Sequence, residues 1–188
     1  MKYTVIAGVN GVGKSSIYSI LSKNEKEELG IRINADDIVL SMGSWQDKDV
    51  QYKAGIQTIR NIKSCFEKCK VFHQETTLSG YSIINNIMKA KKLGYKVDVW
   101  YVYVENLEIL KQRIIERVKL GGHGIEENLV EKRFISSFNN FENIFKTVDE
   151  VRIYDNTYYF ELKAKIVKNK IIFIDSNLQE KYKNMLLE

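Results

Sequence analysis

Gly8-Val9-Asn10-Gly11-Val12-Gly13-Lys14-Ser15 satisfies the pattern G-x-x-x-x-G-K-[ST] at every fixed position. Ahead of it, Tyr3-Thr4-Val5-Ile6-Ala7 is short, apolar and β-branched, as a parallel strand buried on both faces requires, and Ser15 to Leu21 is predicted to open a helix. Glycines let successive N–H groups turn inward on phosphate oxygens, and a helix N-terminus behind them adds about half a positive charge. Lys14 is placed to reach β- and γ-phosphates and Ser15 to offer its hydroxyl to Mg²⁺, with Asn10 and Val12 as loop walls. ATP with Mg²⁺ is the expected ligand pair.

The 188 residues suffice for one domain with a sizeable core, and 44% are hydrophobic although proline is absent. The opening apolar run is only a strand long, and no run approaches the ~20 residues of a membrane span. The expectation is a cytoplasmic protein with no leader and no membrane contact. Cys65 and Cys69 stand four apart in a helical pattern, which disfavours a disulfide and gives a metal pair no partners, so reduced, partly buried thiols are expected. The net charge of +5 is modest and the lysines are interleaved with acids, so nucleic acid is not an expected partner, whereas a basic cleft for an anionic substrate is compatible.

Further along, Ile31-Arg32-Ile33 reads as a second strand and runs straight into Asn34-Ala35-Asp36-Asp37. In an open parallel sheet the carboxyl ends of strands share one crevice, so this acidic turn should face the phosphate loop, with one aspartate capping the next helix and the other spare for chemistry. After the Trp45-containing loop, Ile56, Ile59, Ile62, Phe66 and Cys69 recur at three- and four-residue steps and predict a long amphipathic helix. Val71 to Glu75 is a third strand with Thr76, Thr77, Ser79 and Gly80 as its exit loop. Many phosphate-loop enzymes carry a Mg²⁺-holding aspartate there; this chain has His73, Gln74 and Glu75, of which Glu75 is the nearest substitute and His73 reads as a strand-side polar residue.

Tyr81, Ile84 and Met88 outline a helix that Gly94 ends, and Lys96 to Val104, apolar on both faces except at Asp98, reads as the central strand. Asn106 is a cap for a helix with Leu107, Leu110, Ile114 and Val118 on one stripe and Arg113 and Arg117 beside it. Gly121-Gly122-His123-Gly124 is too flexible for packed core, and the helix begun by Glu126 and Glu127 carries Val130, Phe134, Phe138, Phe141, Phe145 and Arg133. Two arginine-bearing helices about a glycine hinge predict a lid over residues 107–145. Val151 to Asp155 is a fifth strand with Asn156-Thr157 as exit turn, Leu162 to Val167 and Lys170 to Ile174 form a hairpin about Lys168-Asn169, and Leu178 to Leu187 closes as a short helix. This alternation predicts an α/β three-layer sandwich on a mostly parallel five-stranded sheet, with a helical lid and a C-terminal β-hairpin, as one domain over 1–188.

Four pieces resemble the zeta toxin family of P-loop kinases: Gly8 to Ser15; Ile33-Asn34-Ala35-Asp36; Arg117-Val118-Lys119-Leu120-Gly121-Gly122-His123 followed by Arg133-Phe134; and Tyr154-Asp155-Asn156-Thr157. They span most of the chain in the family's order. The resemblance implies a kinase in which Asp36 takes the proton from an acceptor hydroxyl while Arg117 and Arg133 neutralise the γ-phosphate. Gly8, Asn10, Gly11, Val12, Gly13, Lys14, Ser15, Ser16 and Asn156 would bind the nucleotide, Ser15 and Glu75 the metal, and Asp36, Glu75 and Thr76 the acceptor. In zeta toxins that acceptor is UDP-N-acetylglucosamine, phosphorylated on its 3'-hydroxyl, and an antitoxin protein is a partner the family suggests. Where look-alikes read Ile-Pro-Glu after Gly-Gly-His, this chain has Ile125-Glu126-Glu127, and Met42 to Gly80 carries no motif that fixes the acceptor.

Two other functions share the phosphate loop: an ATP-gated binding or regulatory module, and a plain ATPase. Asp36 after the second strand favours a kinase, because no glutamine or glutamate is evidently set to orient a water. Arg113 shares the helix of Arg117 but not its motif, and is expected to stand apart from the phosphates.

Overall fold

The computed structural model describes residues 1–122 and 124–187; His123, part of the glycine-rich piece above, lies outside the described residues. Seven strands form one sheet: β1 (Lys2–Ala7), β2 (Ile31–Asn34), β3 (Phe72–Thr76), β4 (Lys96–Tyr103), β5 (Glu150–Asp155), β6 (Glu161–Val167) and β7 (Lys170–Ile174), in the order β2-β3-β1-β4-β5-β6-β7. The first five are parallel, as predicted. The C-terminal hairpin does not stand apart; β6 pairs antiparallel with β5 and so extends the same sheet. Its turn uses Lys168 and Asn169 at φ 49° and 60°, the doubly left-handed geometry that matches strand twist in a two-residue hairpin.

Around the sheet lie α1 (Ile17–Ile20), α2 (Lys23–Glu28), α3 (Ala35–Met42), α4 (Lys48–Glu67), α5 (Tyr81–Lys92), α6 (Leu107–Lys119), α7 (Glu127–Ile144) and α8 (Glu180–Leu187). Strand alternation divides the core into two layers. Val97, Val99, Tyr101 and Tyr103 of β4 pack with the residues of α4, α5 and the C-terminal half of α7, while Trp100, Val102 and Val104 pack with the phosphate loop and α6. Among the described residues no helix is long and apolar enough to cross a membrane. Both cysteines are free, Cys65 buried and Cys69 exposed.

Three local expectations change. The helix after the phosphate loop is shorter than Ser15 to Leu21: a 3-10 turn at Lys14–Ser16 leads into α1, Leu21 is extended, and Ser22 starts α2 through a capping box with Glu25. On α4 the buried residues are Ala54, Thr58, Ile62, Cys65 and Phe66, so Ile59 and Cys69 fall outside the packed stripe. On α5 the buried stripe is Ile83, Ile87 and Ala90, with Tyr81 85% and Met88 44% exposed. Two apolar stripes of similar helical spacing run side by side there, and the sheet takes the one that begins at Ile83.

Truncation therefore distinguishes the two stripes. Ile87→Ala should cost ~2–5 kcal/mol by leaving a cavity under the sheet, and Met88→Ala should stay within ~0.5–1 kcal/mol, as read from urea unfolding midpoints. Equal costs would place the helix in the other register.

Candidate functional site

The phosphate loop leaves β1 at Ala7, and Gly8 N donates to Thr76 O at 3.1 Å, which ties the loop to the end of β3. Two glycines are dictated by space as well as backbone. Gly8 has φ 142° and a Cβ there would come within 2.3 Å of Val102 O; Gly13 has φ 79° and a Cβ there would meet Asn156 Nδ2 at 2.3 Å. Lys14 Nζ donates to Gly8 O at 2.8 Å and Val9 O at 3.1 Å. Burial lowers its pKa to about 8; Asp36 and Glu75 work against this shift, while Arg117 and Arg133 add to it. Val12, expected to wall the ligand space, is buried in the core layer of α6. Asn156 Nδ2 donates to Val12 O at 2.8 Å, so this residue buttresses the loop from behind.

At the end of β3, Glu75 is buried with its two oxygens differently engaged. Oε2 accepts from Ser15 Oγ at 3.2 Å, and Oε1 accepts from Tyr18 OH at 3.0 Å and Arg32 Nε at 2.7 Å. Arg32 also pairs through Nη1 with Asp37. His73 is buried beneath this corner, its Nδ1 3.1 Å from Leu29 O and its Nε2 2.8 Å from Tyr18 OH, and burial lowers its pKa, favouring the neutral ring. Ser15 Oγ and Glu75 Oε2 are two hard oxygens side by side, a donor set that suits Mg²⁺. Among the described residues no three His, Cys, Asp or Glu side chains gather into a metal cage.

Asn34, the last residue of β2, caps α3 by accepting from Asp36 N at 2.9 Å. Neither aspartate is the cap, contrary to expectation: Asp37 takes Arg32, and Asp36 lines the cleft. The asparagine wins because its side chain reaches the N–H two residues on, where the aspartates already belong to the first helical turn.

From the other side, α6 ends in a Schellman turn, Gly122 N donating to Arg117 O at 2.8 Å and Gly121 N to Val118 O at 2.9 Å. This explains the paired glycines: Gly121 adopts φ 80°, and a Cβ on Gly122 would come within 2.6 Å of the Arg117 side chain. Gly124 is buried, and a Cβ there would lie 2.7 Å from the Trp45 ring. Arg133 Nη1 donates to Asn10 Oδ1 at 2.9 Å, and burial lowers its pKa against the pull of Asp36. Arg113 does not stand apart; it lines the cleft and donates through Nη2 to Thr157 O at 2.9 Å. Buried Arg113 Nη1, Arg117 Nε and Arg117 Nη2 have no hydrogen-bond acceptor among the described residues. Buried donors without acceptors are rare, and Arg113 and Arg117 both line the cleft, where a bound anion would supply acceptors.

The cleft measures about 920 Å³. Of the residues singled out from sequence, Asn10, Gly11, Gly13, Lys14, Ser15, Ser16, Asp36, Glu75, Thr76, Arg117 and Arg133 line it, whereas Gly8, Val12 and Asn156 shape the loop from outside. Sequence reasoning missed the far half, where Lys63 on α4 and Asn85, Asn86 and Lys89 on α5 face the loop across the opening. A signal existed in the helical spacing: Asn85, Asn86 and Lys89 sit three and four apart beside the buried stripe of α5.

With a pKa of about 8, Lys14 loses part of its charge at mildly alkaline pH, whereas a γ-phosphate beside it would restore the proton. ATP binding at pH 8.5 should therefore take up protons, read calorimetrically from buffers of different ionisation enthalpy, and the uptake should vanish in Lys14→Met. Proton-neutral binding by the unsubstituted chain would show that Lys14 stays fully charged.

No family model matches the sequence. An uncharacterized protein of Haemophilus influenzae is 33% identical over 127 residues, which cover 68% of this chain and 88% of that protein. Among solved structures, the AvrRxo1-ORF1:-ORF2 complex with ATP superposes with a TM-score of 0.72 at 15% identity, over 98% of this chain but only 63% of that one. The PezAT chromosomal toxin-antitoxin system of Streptococcus pneumoniae gives 0.60 at 15% identity, over 99% of this chain and 83% of that one. A putative kinase from Chloroflexus aurantiacus gives 0.53 at 11% identity, over 73% of this chain and 78% of that one. The chain thus belongs to the family of the Haemophilus influenzae protein, and its fold is that of the zeta-toxin-like P-loop kinases.

Proposed function

We propose that the chain is an ATP-dependent phosphotransferase that moves the γ-phosphoryl group of ATP onto a hydroxyl of a small acceptor. The observation that carries this reading is the convergence of Lys14, Arg113, Arg117 and Arg133 on one side of a cleft that also holds Asp36. In this reading the loop amides and Lys14 hold the β- and γ-phosphates, and Ser15 and Glu75 hold Mg²⁺, which when bound neutralises charge on the phosphate oxygens. Asp36 accepts the acceptor's hydroxyl proton as its oxygen attacks phosphorus, and the bond to the bridging oxygen breaks to leave ADP. Arg117 and Arg133 meet the charge that spreads over the equatorial oxygens, and the buried, unsatisfied donors of Arg117 cost no reorganisation when it develops.

The lid forms part of the proposal, with a restriction. Leu110 and Ile114 of α6 and Val130, Phe141 and Ile144 of α7 all belong to the core, so closure would be a small shift of the arginine-bearing faces rather than a hinged movement of the whole of 107–145. The acceptor would sit between Asp36 and the far wall, where Lys63 and Lys89 suit an anionic group and Gln74, Asn85 and Asn86 suit hydroxyls or a base. Nucleotide sugars, UDP-N-acetylglucosamine among them, combine those features and are the first acceptors to test. The AvrRxo1 and PezAT structures are complexes or systems of two proteins, and a partner that controls this cleft, in the manner of an antitoxin, belongs to the reading.

Asp36→Asn should leave ATP affinity nearly intact and slow transfer by ~10²–10⁴-fold, the range for loss of a general base. If Asp37→Asn shows that effect instead, Arg32 has paired with the wrong aspartate. Arg117→Ala and Arg133→Ala should each slow transfer by ~10³-fold or more with unchanged melting temperature, and lysine should rescue poorly because an ammonium cannot span two oxygens. Arg113 lines the cleft and is no control; the exposed Arg60 of α4 is, and Arg60→Ala should keep full activity. Losses at Arg117 and Arg133 that track a lowered melting temperature would reduce these arginines to structural roles.

A further inference from the structure

We infer that Arg32 is a positioning residue: its guanidinium selects which oxygen of Glu75 faces Ser15 and ties that carboxylate to the helix that carries Asp36. The inference rests on the phosphotransferase reading and deepens it. Glu75 occupies a place where an aspartate is common, and its extra methylene adds a torsion that a metal-side carboxylate has to have fixed. Three donors fix it. Arg32 Nε at 2.7 Å, Arg32 Nη2 at 2.6 Å and Tyr18 OH at 3.0 Å all converge on Oε1, which leaves Oε2 alone with Ser15 Oγ.

Arg32 is itself held. It lies 5.2 Å from the centre of the Tyr18 ring, its Nε is 3.2 Å from Tyr18 OH, and its third nitrogen pairs with Asp37. Although burial works against its charge, the bonds to Glu75 and Tyr18 raise its pKa above the ordinary value, so it stays a cation throughout. One planar fork thus links β2, which bears Arg32, to β3 through Glu75 and to α3 through Asp37, the neighbour of Asp36 in the first helical turn. A lysine could meet either carboxylate but not both in fixed orientation. The Arg32 side chain is 39% exposed, so as a bare ion pair it would add little to stability; its value lies in geometry.

The test compares ATP binding by calorimetry in Mg²⁺ and in EDTA for the intact chain and for Arg32→Gln, Arg32→Lys and Asp37→Asn. The unsubstituted chain should bind ATP more tightly with Mg²⁺. In Arg32→Gln that Mg²⁺-dependent gain should fall ~10-fold or vanish, the usual cost of losing a residue that orients a metal ligand, while affinity in EDTA stays within about twofold. Arg32→Lys should recover part of the gain, and Asp37→Asn, which leaves the Glu75 bonds intact, should keep it. A gain in Arg32→Gln that is unchanged or larger overturns the inference, as does equal loss in both media with a lowered melting temperature. Absence of any Mg²⁺ effect in the unsubstituted chain would instead remove the metal reading of Glu75, a failure visible before Arg32 is touched.

Discussion

Lys14, Arg113, Arg117 and Arg133 are brought to one cleft by three separate elements, and like charges gathered in a partly dehydrated place repel. Three of the four cations are held by neutral acceptors, Lys14 by the loop's own carbonyls, Arg113 by Thr157 O and Arg133 by Asn10, whereas Arg117 keeps two buried donors without an acceptor among the described residues. Burial is the main cause of the lowered pKa of Lys14; Arg117 and Arg133 add to it, and Asp36 and Glu75 oppose it. A polyphosphate anion relieves the repulsion and fills the open donors together, so the same constraint that burdens the free protein favours the bound one. Functional sites commonly hold such destabilising arrangements, and here it sits at the carboxyl ends of parallel strands.

The sheet makes that arrangement possible. β1, β3 and β2 end side by side, and each delivers one part of the proposed chemistry at its carboxyl end: the phosphate loop after Ala7, Glu75 with Thr76 as the last residues of β3, and Asp36 in the first turn of α3, directly after β2. The arginines come from the opposite side, across β4, where the Schellman turn that ends α6 leaves Arg117 packed against a glycine with no Cβ. The order of residues in the chain and the order of strands in the sheet differ, and that crossover brings residues more than a hundred positions apart into one cleft.

Much of this was legible in the sequence, for identifiable reasons. The phosphate loop combines residue types with fixed spacing and flanking context, so Lys14 and Ser15 could be placed without a fold; the paired glycines after Arg117 read as a flexible hinge and instead close the Schellman turn of α6. The strands were legible because buried parallel strands are continuous apolar runs. Less legible were choices between equivalent alternatives. The stripe expected on α5 lies beside the buried one at similar spacing, the cap of α3, expected of an aspartate, is Asn34, and Asn156, expected at the nucleotide, supports the loop. The Arg32, Tyr18 and Glu75 cluster was hidden because its members lie on three elements whose adjacency follows from strand order, which local pattern does not encode.

The central claim is that the cleft transfers phosphate to an organic hydroxyl rather than to water. The most direct measurement is incubation with γ-labelled ATP and a pool of nucleotide sugars and nucleosides, followed by chromatography and mass analysis of the label. The account requires label in an organic acceptor that gains one phosphoryl group, dependent on Lys14 and on Asp36. Label released only as inorganic phosphate, or retained wholly in ATP while a partner protein binds, would contradict it.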